Sequence, residues 1–266
     1  MTDALSSIYR DRQLRLKVEM ARQSLADLVD MAGRRGGERR SLRDVLRMGP
    51  VPSVIAEIKQ ASPSAGLIAS DFDPAAIARQ YQAAGADAIS VLTEEDYFQG
   101  HLRYLQMVRD CTKLPILRKD FLTCAYEVVQ SVAYGADAIL AIVAGLTDGQ
   151  LAGLLEAAQQ WHLEVLVEVH SQLELQRALA LGADLIGINN RDLKTLRTDI
   201  GVTAALATRL PADVQVISES GFESAADIER IYRLGIRSFL VGEALMRSTD
   251  KTAWLSSVKA LGVVEA

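Results

Sequence analysis

The chain has 266 residues, 49% hydrophobic and 24% charged, an ordinary globular composition with apolar material for a large core. Its net charge of −5 argues against the basic face that non-specific nucleic-acid binding needs, while a local anion site remains open to it. No apolar run approaches the ~18 residues of a membrane span.

Cys111 and Cys124 are the only cysteines, and with His101, His162 and His170 they form no ligand spacing. Neither a disulfide framework nor a bound metal is expected. Met1-Thr2-Asp3-Ala4 opens no basic-then-apolar secretory leader, so a cytoplasmic protein is expected.

Residues up to about Met31 read as one helix, because Leu5, Ile8, Leu14, Leu16, Val18, Leu25, Leu28 and Val29 recur at helical spacing. The glycine-broken basic stretch Gly33–Arg40 then reads as a solvated linker rather than an anion-binding arm. Ser41 to Met48 reads as a further turn or two of helix. Together residues 1–48 form a helical extension, and 49–266 complete a single domain.

From Ser53 short apolar runs alternate with amphipathic segments. The runs are Ser53–Ile58, Ala86–Leu92, Leu114–Leu117, Asp137–Ile142, Glu164–Val167, Leu185–Ile188, Val214–Ile217 and Ser238–Val241. The intervening and closing helices are Pro74–Ala84, Leu102–Cys111, Ala125–Tyr134, Asp148–Trp161, Ser171–Leu181, Gly201–Leu210, Ser224–Leu234 and Lys251–Leu261. Strand–helix alternation implies parallel pairing through crossovers. Gly-Ala-Asp recurs at 85–87, 135–137 and 182–184, with Gly-Ile-Arg at 235–237, and a glycine there takes the left-handed helix cap at little cost. Eight such units predict a closed (β/α)₈ barrel. A doubly wound sheet would carry a glycine-rich turn after its first strand, which Ser62-Pro63-Ser64-Ala65-Gly66 does not supply.

Active sites of such barrels lie at the C-terminal ends of the strands, and there the sequence turns polar. Leu114–Phe121 ends in Arg118-Lys119-Asp120, and strand alternation puts Lys119 with Leu117 on one face and Arg118 with Ile116 on the other. Glu57 and Lys59 share the inward face of the first strand. Glu168 stands at the end of the fifth, where His170 reads as a helix-start residue without a role. Asn189-Asn190-Arg191-Asp192 follows the sixth strand, Ser218-Glu219-Ser220-Gly221 the seventh, and Gly242-Glu243 the eighth. The fourth strand, ending at Ile142, supplies only apolar lining.

Two chemistries follow. Ser220, Gly221 and Gly242 after strands seven and eight fit a phosphate site, to which Arg191 adds a planar cationic fork. Glu57, Lys59, Lys119, Glu168 and Glu219 around one mouth are materials for general acid–base catalysis. A proton transfer on a phosphorylated small molecule is the function these residues support.

Lys59–Gly66, Leu117–Phe121, Gly187–Leu193 and Ser218–Gly221 together resemble the indole-3-glycerol-phosphate synthase family of tryptophan biosynthesis, in family order and spacing. The resemblance implies conversion of carboxyphenylamino-deoxyribulose 5-phosphate to indole-3-glycerol phosphate, carbon dioxide and water, without metal or organic cofactor. It implies Lys119 as general acid for ring closure, Lys59 as a second lysine contacting substrate or assisting dehydration, and Glu168 as the later base. Glu57 and Glu219 would position the lysines and the anilino nitrogen, with Asn189 lining the same pocket.

By the same resemblance Arg191, Ser220, Gly221, Gly242 and the backbone of Glu243 take the phosphate, with Ser62 a further substrate contact. Phe121, Ile142, Leu193 and Leu240 surround the aromatic ring. Ala244 departs from the Glu-Ser common at 243–244 in the family, as does His101 from its Gly-Ser at 100–101. The N-terminal segment would cap the mouth or serve as plain support, and a monomer with at most transient contact to pathway enzymes is expected. Rival readings are the isomerase of the preceding step, which needs a Cys–Asp pair; a Schiff-base aldolase using Lys119; and a barrel that binds phosphate without catalysis.

Overall fold

The computed structural model describes residues 4–35, 39–49, 52–192 and 195–262. Eight parallel strands close into a barrel: β1 Ser53–Ile58, β2 Ala88–Leu92, β3 Ile116–Lys119, β4 Ala138–Ile142, β5 Glu164–Val169, β6 Leu185–Asn189, β7 Gln215–Glu219 and β8 Ser238–Val241. Each pairs with the next, and β1 closes on β8 through Ser53↔Ser238 to Ala56↔Val241. This is the (β/α)₈ architecture that the alternation predicts. A short antiparallel pair, Ala61–Ser62 with Gly66–Leu67, sits in the loop after β1.

The outer helices are α4 Pro74–Ala83, α5 Arg103–Arg109, α6 Ala125–Tyr134, α7 Asp148–Gln160, α8 Gln172–Ala180, α9 Gly201–Ala207, α10 Ala225–Tyr232, the short α11 Glu243–Arg247, and α12 Lys251–Lys259. The repeated glycines do cap helices: Gly85, Gly135, Gly182 and Gly235 all have φ between 81° and 94°, the left-handed region where a side chain is costly. Two of the aspartates that follow close the barrel's lower edge. Asp87 accepts the N–H of Val54 at 2.6 Å, and Asp137 that of Ile116 at 2.9 Å. None of the helices among the described residues is long and apolar enough to cross a membrane.

The segment before the barrel is not one helix. It divides into α1 Ala4–Arg22, α2 Leu25–Arg34 and α3 Leu42–Met48. The break falls at Ser24, whose side chain caps the new helix in a capping box with Asp27, a local competitor that apolar spacing does not register. The three helices lie in three places. The first crosses the C-terminal mouth, with Tyr9 edge-on to Phe121 at 5.5 Å and Tyr97 Oη donating to Asp11 at 2.6 Å. The second lies on the barrel's side, Leu28 packing with Tyr126, Val129 and Ala133 of α6. The third closes the opposite end, where Ser41 Oγ and the Arg43 N–H donate to Glu164 at 2.7 and 3.0 Å.

Nor is the basic stretch a solvated linker. Arg35 Nη1 donates to the Ala133 carbonyl at 2.9 Å, and the Arg40 N–H to Asp137 at 3.1 Å. Those groups cap helix carbonyls and bind a strand-edge carboxylate. Gly36, Gly37 and Glu38 lie outside the described residues.

Arg118 and Asp120, two charges at the end of a strand, are buried as well, at 1% and 2% exposure. Arg118 faces outward between β3 and α6, bonding Asp120 Oδ2 at 2.9 Å, Gln130 Oε1 at 2.9 Å and Thr93 Oγ1 at 3.1 Å. Arg12 of α1 enters the same cluster, 2.8 Å from Glu127 and 2.7 Å from Glu19. Removing one partner from a buried ionic cluster strands the others. Arg12→Ala is therefore expected to lower unfolding stability by ~3–5 kcal/mol, read from the denaturant midpoint at unchanged slope. Arg15→Ala, which breaks half-exposed pairs with Glu95 and Asp96, is expected to cost less than about 1 kcal/mol in the same measurement.

Candidate active site

The strand ends converge on one cavity of about 680 Å³ at the C-terminal mouth. Glu57 and Lys59 reach it from β1 and the residue just beyond, Lys119 from the last position of β3, Glu168 from β5, Asn189 from β6 and Glu219 from β7. Ser62, Arg191, Ser220, Gly221, Gly242 and Glu243 line the same space, as do Phe121, Ile142 and Leu240. The structure thus brings every predicted site residue together except Leu193, which lies outside the described residues. The cavity is also lined by Ala4 and Ile8 of α1.

The acid–base groups sit in a chain of contacts. Lys119 Nζ lies 2.8 Å from Glu168 Oε2 and 3.0 Å from Glu219 Oε2, while Lys59 Nζ lies 2.6 Å from Glu57 Oε1. The carboxylates are nearly closed off, Glu57 at 4% and Glu168 and Glu219 at 1% exposure. Two glycines make room for them. A Cβ on Gly187 would collide with the Glu219 carboxylate, and one on Gly242 with Glu57.

These contacts shift the three groups in different directions. Burial works against the Lys119 ammonium, but Glu168, Glu219 and Glu57 carry its pKa well above the ordinary lysine value. For Glu168 burial pushes up, yet Lys119, then His170 and Asn189, hold it below the usual carboxylate range. Glu219 goes the other way. Burial raises it, Lys119 pulls it back, and the neighbouring Glu168 and Glu57 charges help push it to about 7. The site therefore holds a firm cation, a firm anion and a carboxyl poised near neutrality, the separation of titrations that acid–base work requires.

The far side of the cavity is built for an anion. Ser220 adopts φ 66° and Gly221 φ 86°, so the chain reverses sharply straight after Glu219. Asn190 braces that turn, its Nδ2 donating to Ser218 Oγ and the Ser220 carbonyl, both at 3.1 Å. Arg191 is held by the hydroxyls of Ser64 and Thr198. The Glu243 carboxylate accepts from Arg247 Nε at 3.0 Å, leaving the backbone as that residue's means of meeting a phosphate.

Residues 5–258 match the family model for indole-3-glycerol phosphate synthase. The chain belongs to the indole-3-glycerol phosphate synthase family. Its relatives of that name include one from Azospirillum brasilense, 47% identical over 256 residues, which span 95% of this chain and 97% of that protein. Another, from Rhodospirillum rubrum, is 50% identical over 200 residues, 75% of this chain and 76% of that one. Among solved structures a 3-hexulose-6-phosphate synthase superposes with a TM-score of 0.63 at 18% identity, covering 79% of this chain and 99% of that one. That likeness is of fold alone.

In this member of the synthase family two residues border the site that the sequence reading gave no role. His170 faces Glu168, and alternation along Glu168-Val169-His170 was a usable signal, since positions two apart share a face. Tyr9 packs so closely over the backbone of Gly145 that a Cβ there would strike its ring. Only the folded topology could pair those two.

The causes of the Glu219 shift fix the signs of its response. Removing the Lys119 ammonium removes a group that lowers the Glu219 pKa, whereas neutralising Glu168 removes one that raises it. Carboxyl ¹³C titration should therefore show Glu219 moving above about 7 in Lys119→Met and below about 7 in Glu168→Gln.

Proposed function

We propose that the chain converts 1-(2-carboxyphenylamino)-1-deoxyribulose 5-phosphate to indole-3-glycerol phosphate, carbon dioxide and water, with Lys119 as the general acid of ring closure. The observation that carries this reading is Lys119 Nζ, held as an ammonium between Glu168 and Glu219 inside the cavity. Membership of the synthase family supplies the reaction to which such a group belongs.

The ring carbon that bears the carboxylate attacks the ketose carbonyl carbon, and the carbonyl π electrons move to oxygen. Lys119 stabilises the developing alkoxide and then protonates it. Cleavage of the ring–carboxylate bond releases carbon dioxide and returns its electron pair to the ring system. Loss of the new hydroxyl as water, with removal of a proton from the carbon chain, completes the indole. Glu168, an anion in the resting site, is the base for that step. Lys59 contacts the substrate and assists departure of water, with Glu57 holding its ammonium and Asn189 and Glu219 bounding the pocket.

The phosphate lies against Arg191, Ser220, Gly221, Gly242 and the Glu243 backbone, with Ser62 contributing from the β1 loop. Phe121, Ile142 and Leu240 flank the aromatic ring. Phe98, with its ring centroid 6.0 Å from that of Phe121, extends the apolar wall. Helix α1 covers the mouth, and excluding water strengthens each charge interaction within. The enzyme works as a cytoplasmic monomer, and its two cysteines, both unpaired, suit a reducing compartment.

The rival chemistries find less support. Cys111 and Cys124 do not line the cavity, where an isomerase pair would have to stand. An ammonium held by two carboxylates is a poor Schiff-base nucleophile. Indole fluorescence should report product formation by the wild-type chain from authentic substrate. Lys119→Ala should lose roughly 10²–10⁴-fold in turnover, the contribution of a positioned acid, and Arg191→Ala should chiefly raise KM. Full turnover in Lys119→Ala would move the acid elsewhere, and no turnover by the wild type would end this reading.

A further inference from the structure

Behind the cavity wall, His170 is held between two glutamates. Its backbone N–H donates to Glu174 Oε2 at 2.7 Å, and its ring Nδ1 lies 3.3 Å from the same oxygen in the first turn of α8. The other ring nitrogen, Nε2, lies 3.5 Å from Glu168 Oε1. Both of those atoms are buried without a partner at hydrogen-bond geometry among the described residues, Asn189 being the other polar side chain that acts on Glu168. Glu168 Oε2 is already taken by Lys119. One oxygen of the proposed base is thus bound by the proposed acid, and the other is faced by an imidazole nitrogen. Two unpaired buried polar atoms are costly apart and favourable together, and closing this gap by a few tenths of an ångström makes a normal hydrogen bond.

For both glutamates to accept, both ring nitrogens must carry protons, which makes the ring an imidazolium. The charged groups around it are Glu168 from the end of β5, Glu174 from α8 and, farther off, Glu219 from β7. Burial opposes the cation, but the Glu174 hydrogen bond and these carboxylates lift the imidazole above its ordinary value.

We propose that His170 is a positioning residue for Glu168, an imidazolium anchored by Glu174 that donates from Nε2 to Oε1 and keeps Glu168 ionised when Lys119 gives up its proton. The need arises from the reaction itself. At rest the Lys119 ammonium compensates Glu168, but once that proton passes to the substrate oxygen, Glu168 faces a neutral amine in a buried site. A carboxylate so placed gains proton affinity and would be neutralised before the later base step. A second cation that takes no part in ring closure prevents this. The inference rests on the reading of Lys119 as acid and Glu168 as base.

His170 does not line the cavity, so its loss should act on kcat rather than KM. In His170→Leu, kcat should fall about tenfold, the scale of a charge-assisted hydrogen bond, with KM within about twofold. Loss of a cation beside Glu168 raises the Glu168 pKa, so the acid limb of the kcat–pH profile should move up by about one unit. His170→Gln keeps a neutral donor and should recover part of kcat with a smaller displacement of the limb. It also carries the test if the leucine variant does not fold.

A wild-type kcat with an unmoved acid limb in both variants would overturn the proposal. So would an equal loss of kcat in both with an unmoved limb and a lowered melting temperature, the signature of a structural role. Glu168→Gln separates this outcome from failure of the underlying reading. Retained turnover there would show that Glu168 is not the base. Abolished turnover beside an unaltered His170→Leu would reject the His170 proposal alone.

Discussion

Three carboxylates share the mouth of one closed barrel, and the arrangement holds only because cations stand between them. Glu57, Glu168 and Glu219 are all buried, and like charges so placed are tolerated when paired. Lys119 bridges two of them and Lys59 takes the third. Glu57, Lys119, Glu168 and Glu219 come from β1, β3, β5 and β7, the odd strands. In a barrel of this kind one interior layer is contributed by alternate strands, so the ionic cluster forms one such layer near the mouth. The intervening strands yield space to it. Gly187 of β6, in register with Glu168, leaves room for the Glu219 carboxylate.

A layer of charges at an open mouth would be screened by water, and the N-terminal helix bears on that. Ile8 and Ala4 line the cavity, and Tyr9 packs on Phe121 and Gly145. The same helix sends Arg12 into the cluster of Asp120, Glu127 and Glu19. Asp120 directly follows Lys119, and its Oδ1 accepts the N–H of Phe121 at 2.8 Å. The cover over the mouth and the backbone that aims Lys119 are therefore tied to one set of buried ions. Two lysine-side requirements, dryness and direction, are met by a single packed cluster rather than by a loop.

The barrel was legible in the sequence because each repeating unit carries its own punctuation, an apolar run, an amphipathic helix and a capping glycine. Strand ends were less so. The apolar runs stop at Leu117, Val167, Ile188 and Ile217, whereas the strands continue to Lys119, Val169, Asn189 and Glu219. A test for hydrophobicity ends each strand at its first polar residue, one position before or at the inward group that lines the cavity. The acid–base and anion-site residues were read from that polarity and from their common end of the barrel, whereas the roles of Asn189, Ser62, Glu243 and the apolar contacts came only from the family resemblance. The burial of Arg118 and Asp120 was not legible for the opposite reason. Their partners Gln130, Glu127 and Arg12 are supplied by other helices, and no local pattern announces that a charge will be buried by distant ones. The division of the first helix at Ser24 was written locally, in Ser24 and Asp27, but apolar spacing alone runs through it.

The two ends of the cavity differ in how their cations are occupied, and that difference gives the bound molecule a direction. At the acid–base end Lys119 and Lys59 are held by carboxylates. At the other end, among the described residues, the Arg191 guanidinium rests on the hydroxyls of Ser64 and Thr198, neutral groups that orient it without cancelling its charge. A dianion gains most where a cation is oriented but not compensated, and least beside Glu57, Glu168 and Glu219. The proposed phosphate position at the turn of Ser220 and Gly221 follows from that difference. The remaining length of the molecule has to extend toward Lys119, between the apolar walls of Phe121, Leu240 and Ile142. In the proposed reading the carboxylate-held lysines face the reacting atoms, and the arginine held only by hydroxyls among the described residues takes the phosphate.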